Sequence, residues 1–196
     1  AHGSHFGVHE KLPKSPVKMG ADMVVTSAHK TLSSLTQTAY LHVNNKEDLD
    51  KVDFYFKIFL STSPSYIALC SMDYARFYLE KYGHRDYEKL IEISKHYRDK
   101  INSIKGFSII EKKDILVHNE KLPPSVWNLD STRYIINLEK GHSANLLLDY
   151  LRKSKIQAEM SDDFNVVLIF SPFNKEEEFE KLYRVLKDCN LKKIRH

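Results

Sequence analysis

The chain has 196 residues, of which 42% are hydrophobic and 11% aromatic, so a packed core is expected and extensive disorder is excluded. Thirty Lys and Arg against 26 Asp and Glu leave a formal net charge of +4. Because Lys is mixed with Glu and Asp along the chain, this charge indicates a solvated surface rather than a nucleic-acid-binding face. Two cysteines without a Cys-x-x-Cys spacing argue against a zinc ribbon or a disulfide framework and fit a reducing compartment.

Targeting signals are not evident in the sequence. No apolar run approaches the roughly 20 residues that a membrane-spanning helix needs. No secretory signal pattern is present, and the first residue is Ala rather than Met. We therefore expect a cytoplasmic protein without membrane or nucleic-acid partners, and a chain that does not begin where a gene would begin.

The first half of the chain predicts two strands followed by two helices. Asp22–Ser27 is a short β-branched run typical of a buried strand, and Thr36–Val43 is a second strand candidate. Apolar residues at helical spacing predict helices over 63–83 and 85–106, the first with Ser63 as its N-cap.

The second half has shorter elements. Strand-like segments cover 107–110 and 133–138, a helix is predicted over 143–153, and another apolar strand covers 166–170. A final helix is predicted to begin with Asn174 as its cap, followed by three Glu residues that suit the helix dipole. Alternating strands and helices in both halves predict α/β or α+β layers.

Residues 26–31, with the sequence TSAHKT, directly follow the first predicted strand. A lysine at the carboxyl end of a buried strand can lose hydration, which lowers its amine pKa and favours Schiff-base chemistry. The neighbouring hydroxyl groups are suited to bonding a phosphate. On spacing alone, however, Lys30 is more often an ordinary surface residue, so the wider segment has to decide.

The wider segment SAHKTLSSLTQTAYLHV resembles the cofactor-lysine segment of the bacterial ornithine/lysine/arginine decarboxylases, which are pyridoxal-phosphate enzymes of the aspartate aminotransferase fold type (fold type I). Three other segments are similar to that family in the same order: residues 1–6 (AHGSHF), 61–66 (STSPSY) and 157–162 (QAEMSD). The resemblance implies an α/β fold in two parts. Residues 1–106 would be the C-terminal part of the cofactor-binding large domain, and 107–196 a small α+β domain.

The resemblance also implies roles for individual residues in the first part. Lys30 would carry pyridoxal phosphate covalently. Ser27 and His29 would contact the phosphate or its surroundings, and His29 is also a candidate proton donor near the reacting carbon. Ala1 and His2 would lie beside the pyridine ring of the cofactor.

Further implied roles concern the partner subunit and the substrate. Ser61 and Thr62 would reach the cofactor phosphate of a neighbouring subunit, which makes a homodimer or higher homo-oligomer the functional unit. Glu159 would pair with the distal cation of a basic amino acid. The implied reaction is decarboxylation of lysine, arginine or ornithine to the corresponding amine and carbon dioxide, with no metal required.

Simpler interpretations exist for most of these residues. A metal cluster of His2, His5 and His9 is disfavoured because no Cys or Asp accompanies them. The serines around residue 61 are also suited to capping a helix. Glu159 could be an exposed residue at a strand edge, since Glu is rarely buried unless it is paired.

Two other functions stay open at this point. An aminotransferase of the same fold type would need an arginine to hold the substrate α-carboxylate, and Arg133 and Arg152 are the candidates. A non-catalytic, truncated relative is the other alternative. In the family, the aspartate that keeps the pyridine nitrogen protonated lies two residues before the equivalent of Ala1, so we expect this chain to be an incomplete portion of the enzyme.

Overall fold

The computed structural model describes residues 2–115, 126 and 128–195. The chain forms two compact units, Ala1–Arg85 and Asp86–His196. Within the part of the chain that is described, no helix combines the length and the apolar character needed to cross a membrane.

Two antiparallel strands form the sheet of the N-terminal unit. Strand β1, Met23–Ser27, pairs with strand β2, Ala39–Val43, with Val25 opposite Leu41. A one-turn helix, α1 (Ala28–Thr31), follows β1 without a break. Both strands lie within the segments predicted from the sequence, because β-branched and apolar residues are concentrated there.

The prediction that β1 is a buried strand is wrong for this chain. Thr26 is the one residue of β1 that is buried, whereas Met23 and Val25 are 47% and 55% exposed. The facing Leu41 on β2 is 41% exposed. Strands of this composition are typical of sheets covered on both faces, so the described N-terminal unit leaves uncovered a face with the composition of a core.

Two helices, α2 (Leu49–Phe59) and α3 (Tyr66–Tyr78), follow β2 in this unit. Helix α2 was not predicted, and none of its residues is buried. The hydroxyl group of Ser65 accepts a hydrogen bond from the backbone N–H of Ala68 at 3.3 Å. Ser65 is therefore the N-cap of α3, and the prediction that Ser63 caps this helix is wrong.

The sequence predicted that a helix ends at Gly83, but the helical structure continues past this residue. A π-helical turn, Leu79–Gly83, leads directly into α4, His84–Asn102. A Cβ atom at Gly83 would lie 2.8 Å from a methyl group of Val8. Glycine is present here because another segment packs against it, not because the helix ends.

The C-terminal unit is built on a four-stranded antiparallel sheet. Its strands are β3 (Phe107–Ile109), β4 (Arg133–Leu138), β5 (Met160–Ser161) and β6 (Asn165–Ile169), in the order β3-β4-β6-β5. The helices of this unit are most of α4, the short α5 (Lys112–Ile115), α6 (Ala144–Lys153) and α7 (Glu176–Lys187), followed by a 3₁₀ turn, Leu191–Ile194.

The predicted cap of the last helix is also corrected. Helix α7 begins at Glu176 with Lys175 as its N-cap. The carboxylate of Glu178 accepts hydrogen bonds from the backbone N–H of Lys175 at 2.9 Å and from the side-chain amide of Asn174 at 3.0 Å. The carboxylate of Glu178, in the first turn, therefore accepts a backbone N–H that would otherwise lack a partner at the start of the helix. Asn174 holds this carboxylate in place with a second hydrogen bond.

An aromatic cluster forms the centre of the C-terminal core. The rings of Phe170 and Phe179 stack with centroids 4.2 Å apart, and Tyr134 and Tyr97 pack against Phe179. The hydroxyl group of Tyr134 donates to the backbone carbonyl of Ser94 on α4. Helix α4 thus belongs to this core, which explains why the chain divides into its two units at Arg85/Asp86. The division into domains 1–106 and 107–196 stays a prediction.

Candidate active site

Two hydrogen bonds from other segments hold the backbone of the turn that carries Lys30. Ala28 is fully buried, and its backbone N–H donates to the carbonyl of Thr38 at 3.0 Å. The hydroxyl group of Ser4 donates to the carbonyl of Ser27 at 2.7 Å. Residues from before β1 and after α1 therefore fix the point at which the strand becomes a helix.

Lys30 itself is exposed. Its amine has no hydrogen-bond or ion-pair partner among residues 2–115, 126 and 128–195. The desolvation that the sequence led us to expect is thus not provided by the described residues. Its backbone is fixed by the buried turn, while the amine remains available to another group.

His29 is held by one strong hydrogen bond. Its Nδ1 lies 2.9 Å from the backbone carbonyl oxygen of Thr38. Since a carbonyl oxygen can only accept, Nδ1 carries the proton and Nε2 is the ring nitrogen left to exchange protons with another group. The partly buried ring is therefore fixed in one tautomer next to Lys30.

Three hydroxyl groups of residues 26–31 have no hydrogen-bond partner in the described structure. The hydroxyl oxygens of Thr26 and Thr31 are buried without a partner, and that of the partly buried Ser27 is also unpaired. Buried hydroxyl groups are normally satisfied. An oxygen-rich anion such as a phosphate monoester would supply acceptors for such groups, so the residues present fit pyridoxal phosphate.

The N-terminal segment contacts this turn through the hydrogen bond from Ser4. His2 is exposed, whereas His5 and His9 are buried. Ala1 lies outside the described residues. In the described part of the chain, neither His2 nor His5 belongs to a group of three side chains that could ligate a metal.

Ser61 and Thr62 are exposed between α2 and α3. The hydroxyl group of Ser61 accepts the backbone N–H of Ser63 at 3.1 Å, a local turn. No hydrogen bond joins Ser61 or Thr62 to residues 26–31 among those described. Their predicted role toward a neighbouring subunit stays a prediction.

In the C-terminal unit, Glu159 is exposed beside β5, and its backbone N–H donates to the carbonyl of Val167 at 2.9 Å. Its carboxylate has no partner among the described residues. By contrast, Arg133 pairs with Asp130 at 3.0 Å and Arg152 lies 3.6 Å from Asp149. Both arginines proposed for an aminotransferase are therefore engaged with carboxylates of the chain itself.

Several contributors to the site were missed from the sequence. The backbone of Thr38 and the hydroxyl groups of Ser4, Ser34 and Ser71 act through contacts between residues distant in the chain. The concentration of Ser and Thr over 31–38 was the available signal, since short hydroxyl side chains often bond neighbouring backbone groups.

Comparison with known proteins identifies the family. The profile of the Orn/Lys/Arg decarboxylase major domain matches residues 1–178. The chain belongs to the Orn/Lys/Arg decarboxylase family. Within this family, it is 32% identical over 191 residues to the arginine decarboxylase of Bacillus subtilis, covering 95% of this chain and 37% of that protein. It is 34% identical over 196 residues to the arginine decarboxylase of Bacillus cereus, covering 96% and 40%. The chain thus spans about two fifths of these relatives.

Solved structures confirm the α/β fold of this family member. The constitutive lysine decarboxylase of E. coli matches with a TM-score of 0.72 and 20% identity over 85% of this chain and 28% of that one. The lysine decarboxylase of Francisella novicida gives 0.70 and 19%, covering 84% and 27%. A serine palmitoyltransferase solved with PLP gives 0.68 and 10%, covering 95% and 45%. These neighbours confirm the predicted fold type I.

Proposed function

We propose that this chain is the lysine-bearing portion of a pyridoxal-phosphate-dependent decarboxylase of a basic amino acid. The observation that carries the proposal is the Lys30 turn: an amine without a partner among the described residues, on a buried backbone anchor, in a segment with hydroxyl groups that also lack partners. Family membership and the curated arginine decarboxylases support lysine, arginine or ornithine as the substrate class.

Two residues of the turn would hold the cofactor. Lys30 would bind it covalently, and the hydroxyl group of Ser27 would donate to its phosphate. When bound, pyridoxal phosphate supplies an electron sink for the carbanion left as carbon dioxide departs. His29 would hold or deliver a proton at Nε2, because its Nδ1–H is committed to Thr38.

Substrate selection would fall to Glu159. Its carboxylate is exposed and has no partner among the described residues, so it is available to an ammonium or guanidinium group. An amino acid without a distal cation would leave this carboxylate unpaired on binding, which disfavours that substrate.

A larger assembly is part of the proposal. Among the described residues of the N-terminal unit, three hydrophobic residues are buried and seventeen large ones are exposed, whereas the C-terminal unit buries twenty-two and exposes four. Exposed residues of β1, β2 and α2 line an apolar cavity of about 590 Å³. Contiguous exposed apolar surfaces that line such a cavity are typical of interaction surfaces. We infer that the rest of a cofactor domain and a second subunit cover them, which fits the 37–40% share of the relatives that the chain spans.

The test is decarboxylation by the full-length protein. We expect release of carbon dioxide from at least one of lysine, arginine and ornithine in the presence of pyridoxal phosphate. Glu159→Gln should raise the KM for that substrate about tenfold to a hundredfold, the cost of one charged hydrogen bond. Glu139→Gln is the matched control, since this exposed carboxylate of the same unit has no partner among the described residues. Absence of carbon dioxide from all three amino acids would refute the proposal.

A further inference from the structure

A series of hydroxyl groups connects helix α3 to the loop that follows Lys30. The hydroxyl oxygen of Ser71 accepts the backbone N–H of Leu35 at 3.2 Å and lies 3.0 Å from the hydroxyl oxygen of Ser34. The Ser34 oxygen in turn lies 2.8 Å from that of Thr38. The three hydroxyl groups therefore form a continuous series from the helix to the end of the loop.

Thr38, at the end of this series, is the residue that fixes the candidate active site. It is 4% exposed, and its carbonyl accepts both the backbone N–H of Ala28 at 3.0 Å and the ring N–H of His29 at 2.9 Å. Its own hydroxyl group donates to the carbonyl of Leu35 at 2.7 Å. A displacement of Thr38 would therefore change the orientation of the His29 ring directly.

The number of protons shows which hydroxyl group joins the two ends. Ser71 donates to the carbonyl of Ala68 at 2.7 Å, and Thr38 donates to that of Leu35, because carbonyl oxygens can only accept. With both bonds made, the single hydroxyl proton of Ser34 goes either to Ser71 or to Thr38. The hydroxyl group of Ser34 therefore donates to either Ser71 or Thr38 at any one time. The hydroxyl oxygen of Ser71 accepts the backbone N–H of Leu35 in both cases.

We propose that Ser71 is a positioning residue for His29, acting through Ser34, Leu35 and Thr38. Without its hydroxyl group, the N–H of Leu35 and the hydroxyl group of Ser34 would both lose an acceptor on α3. The loop would then no longer be held against the helix, and the carbonyl of Thr38 would lose its fixed place. This inference rests on the proposed function, because His29 has a catalytic role only beside a cofactor on Lys30.

The test is nitrogen-15 NMR of histidine in the full chain without cofactor, with the His29 signal assigned from His29→Gln. In the wild-type chain we expect His29 as the Nδ1–H tautomer. Ser71→Ala should abolish this preference, giving exchange between both tautomers. Amide exchange of Ala28, which bonds the same carbonyl, should become about fivefold to tenfold faster, the effect of losing about one hydrogen bond.

Matched variants separate positioning from general loosening of the helix. Ser71→Thr keeps a hydroxyl group and should restore the wild-type signal. Ser65→Ala removes the N-cap of the same helix without touching the series, and should leave His29 unchanged. Should Ser71→Ala fail to fold, Ser34→Ala removes the two hydroxyl contacts of the series but leaves the bond from Leu35 to Ser71, and should change His29 in the same direction by a smaller amount.

Two results would overturn the inference. One is a wild-type His29 tautomer and Ala28 exchange rate in Ser71→Ala or, where that variant does not fold, in Ser34→Ala. The other is an effect of Ser65→Ala as large as that of Ser71→Ala. Neither readout requires the cofactor, so failure here is distinguishable from failure of Lys30 to bind it or of the protein to decarboxylate a basic amino acid.

Discussion

Single polar atoms fix the geometry of the Lys30 turn. One carbonyl oxygen, that of Thr38, fixes both the backbone of Ala28 and the tautomer of His29. The hydroxyl groups of Thr26 and Thr31 remain without partners although both are buried. Buried hydroxyl groups are normally hydrogen-bonded, so these two are consistent with the proposed binding of an anion at this turn.

In the C-terminal unit, one carboxylate joins α4 to α7. Glu180 accepts a hydrogen bond from Lys100 at 2.9 Å and one from Arg184 at 2.7 Å. The hydrogen bond from Lys100 and the one from Arg184 lower the pKa of Glu180 from 4.5 to about 2. A lowered pKa means that the folded state binds this proton less readily than the unfolded chain.

This ion pair predicts a pH dependence of stability. The contribution of Glu180 is present above pH 4.5 and is lost as the pH falls toward about 2, where the folded carboxylate becomes protonated. Glu180→Gln should therefore lower the free energy of unfolding at pH 7 and flatten its decline between pH 4.5 and 2. Urea unfolding across this pH range provides the measurement.

Glu92→Gln is the control for this prediction. Glu92 is an exposed carboxylate on α4 without a partner among the described residues, so its removal should leave the pH dependence unchanged. An equally steep loss of stability in acid for Glu180→Gln and the wild-type chain would contradict the prediction.

At the scale of elements, local sequence predicts some strand and helix bounds and misplaces others. Strand β4 was predicted with its observed bounds, because Tyr134, Ile136 and Leu138 alternate with polar or half-buried neighbours. The start of α3 was misplaced, since Ser63 and Ser65 are equally good caps on local grounds and the backbone geometry selects the second. Helix α2 was not predicted, and none of its residues is buried within the described unit.

The end of helix α6 predicts a stabilising substitution. The N–H of Lys155 bonds the carbonyl of Arg152, and that of Ile156 bonds Leu151, the pattern of a Schellman motif. Lys155 has a φ of 59°, in the left-handed region that favours glycine. Lys155→Gly should raise the free energy of unfolding by about 0.5–1 kcal/mol, because the relieved strain exceeds the added freedom of the unfolded chain.

Circular dichroism during urea unfolding would measure this change. Lys153→Gly, two residues earlier in the last helical turn, should instead lower stability by about 1 kcal/mol, since glycine is unfavourable inside a helix. Two variants with the same sign would show that the conformation of residue 155 does not limit the stability of α6.

At the scale of the whole molecule, the two units differ in how complete their cores are. The C-terminal unit encloses an aromatic cluster that includes Phe170 and Phe179, whereas the N-terminal unit exposes most of its large apolar residues. Family, fold and the position of the lysine segment could be predicted from the sequence, because they depend on motifs in a fixed order. The burial of Met23 and Val25 could not, since it depends on what covers the sheet.

The long-range support of the site could not be predicted either. Ser71 lies 33 residues after Thr38, and no local pattern marks the series of hydroxyl groups that joins them. The roles of Lys30, His29 and Glu159 stay predictions until they are measured.

The most direct test of the central claim is to incubate the protein with pyridoxal phosphate, reduce it with borohydride and map the modified lysines by peptide mass. We predict that the main adduct is on Lys30 and that Lys30→Arg removes it, while Lys18→Arg, at another exposed lysine of the same unit, does not. Labelling spread evenly over exposed lysines such as Lys18 and Lys46, and unchanged by Lys30→Arg, would contradict the assignment of Lys30 as the cofactor lysine.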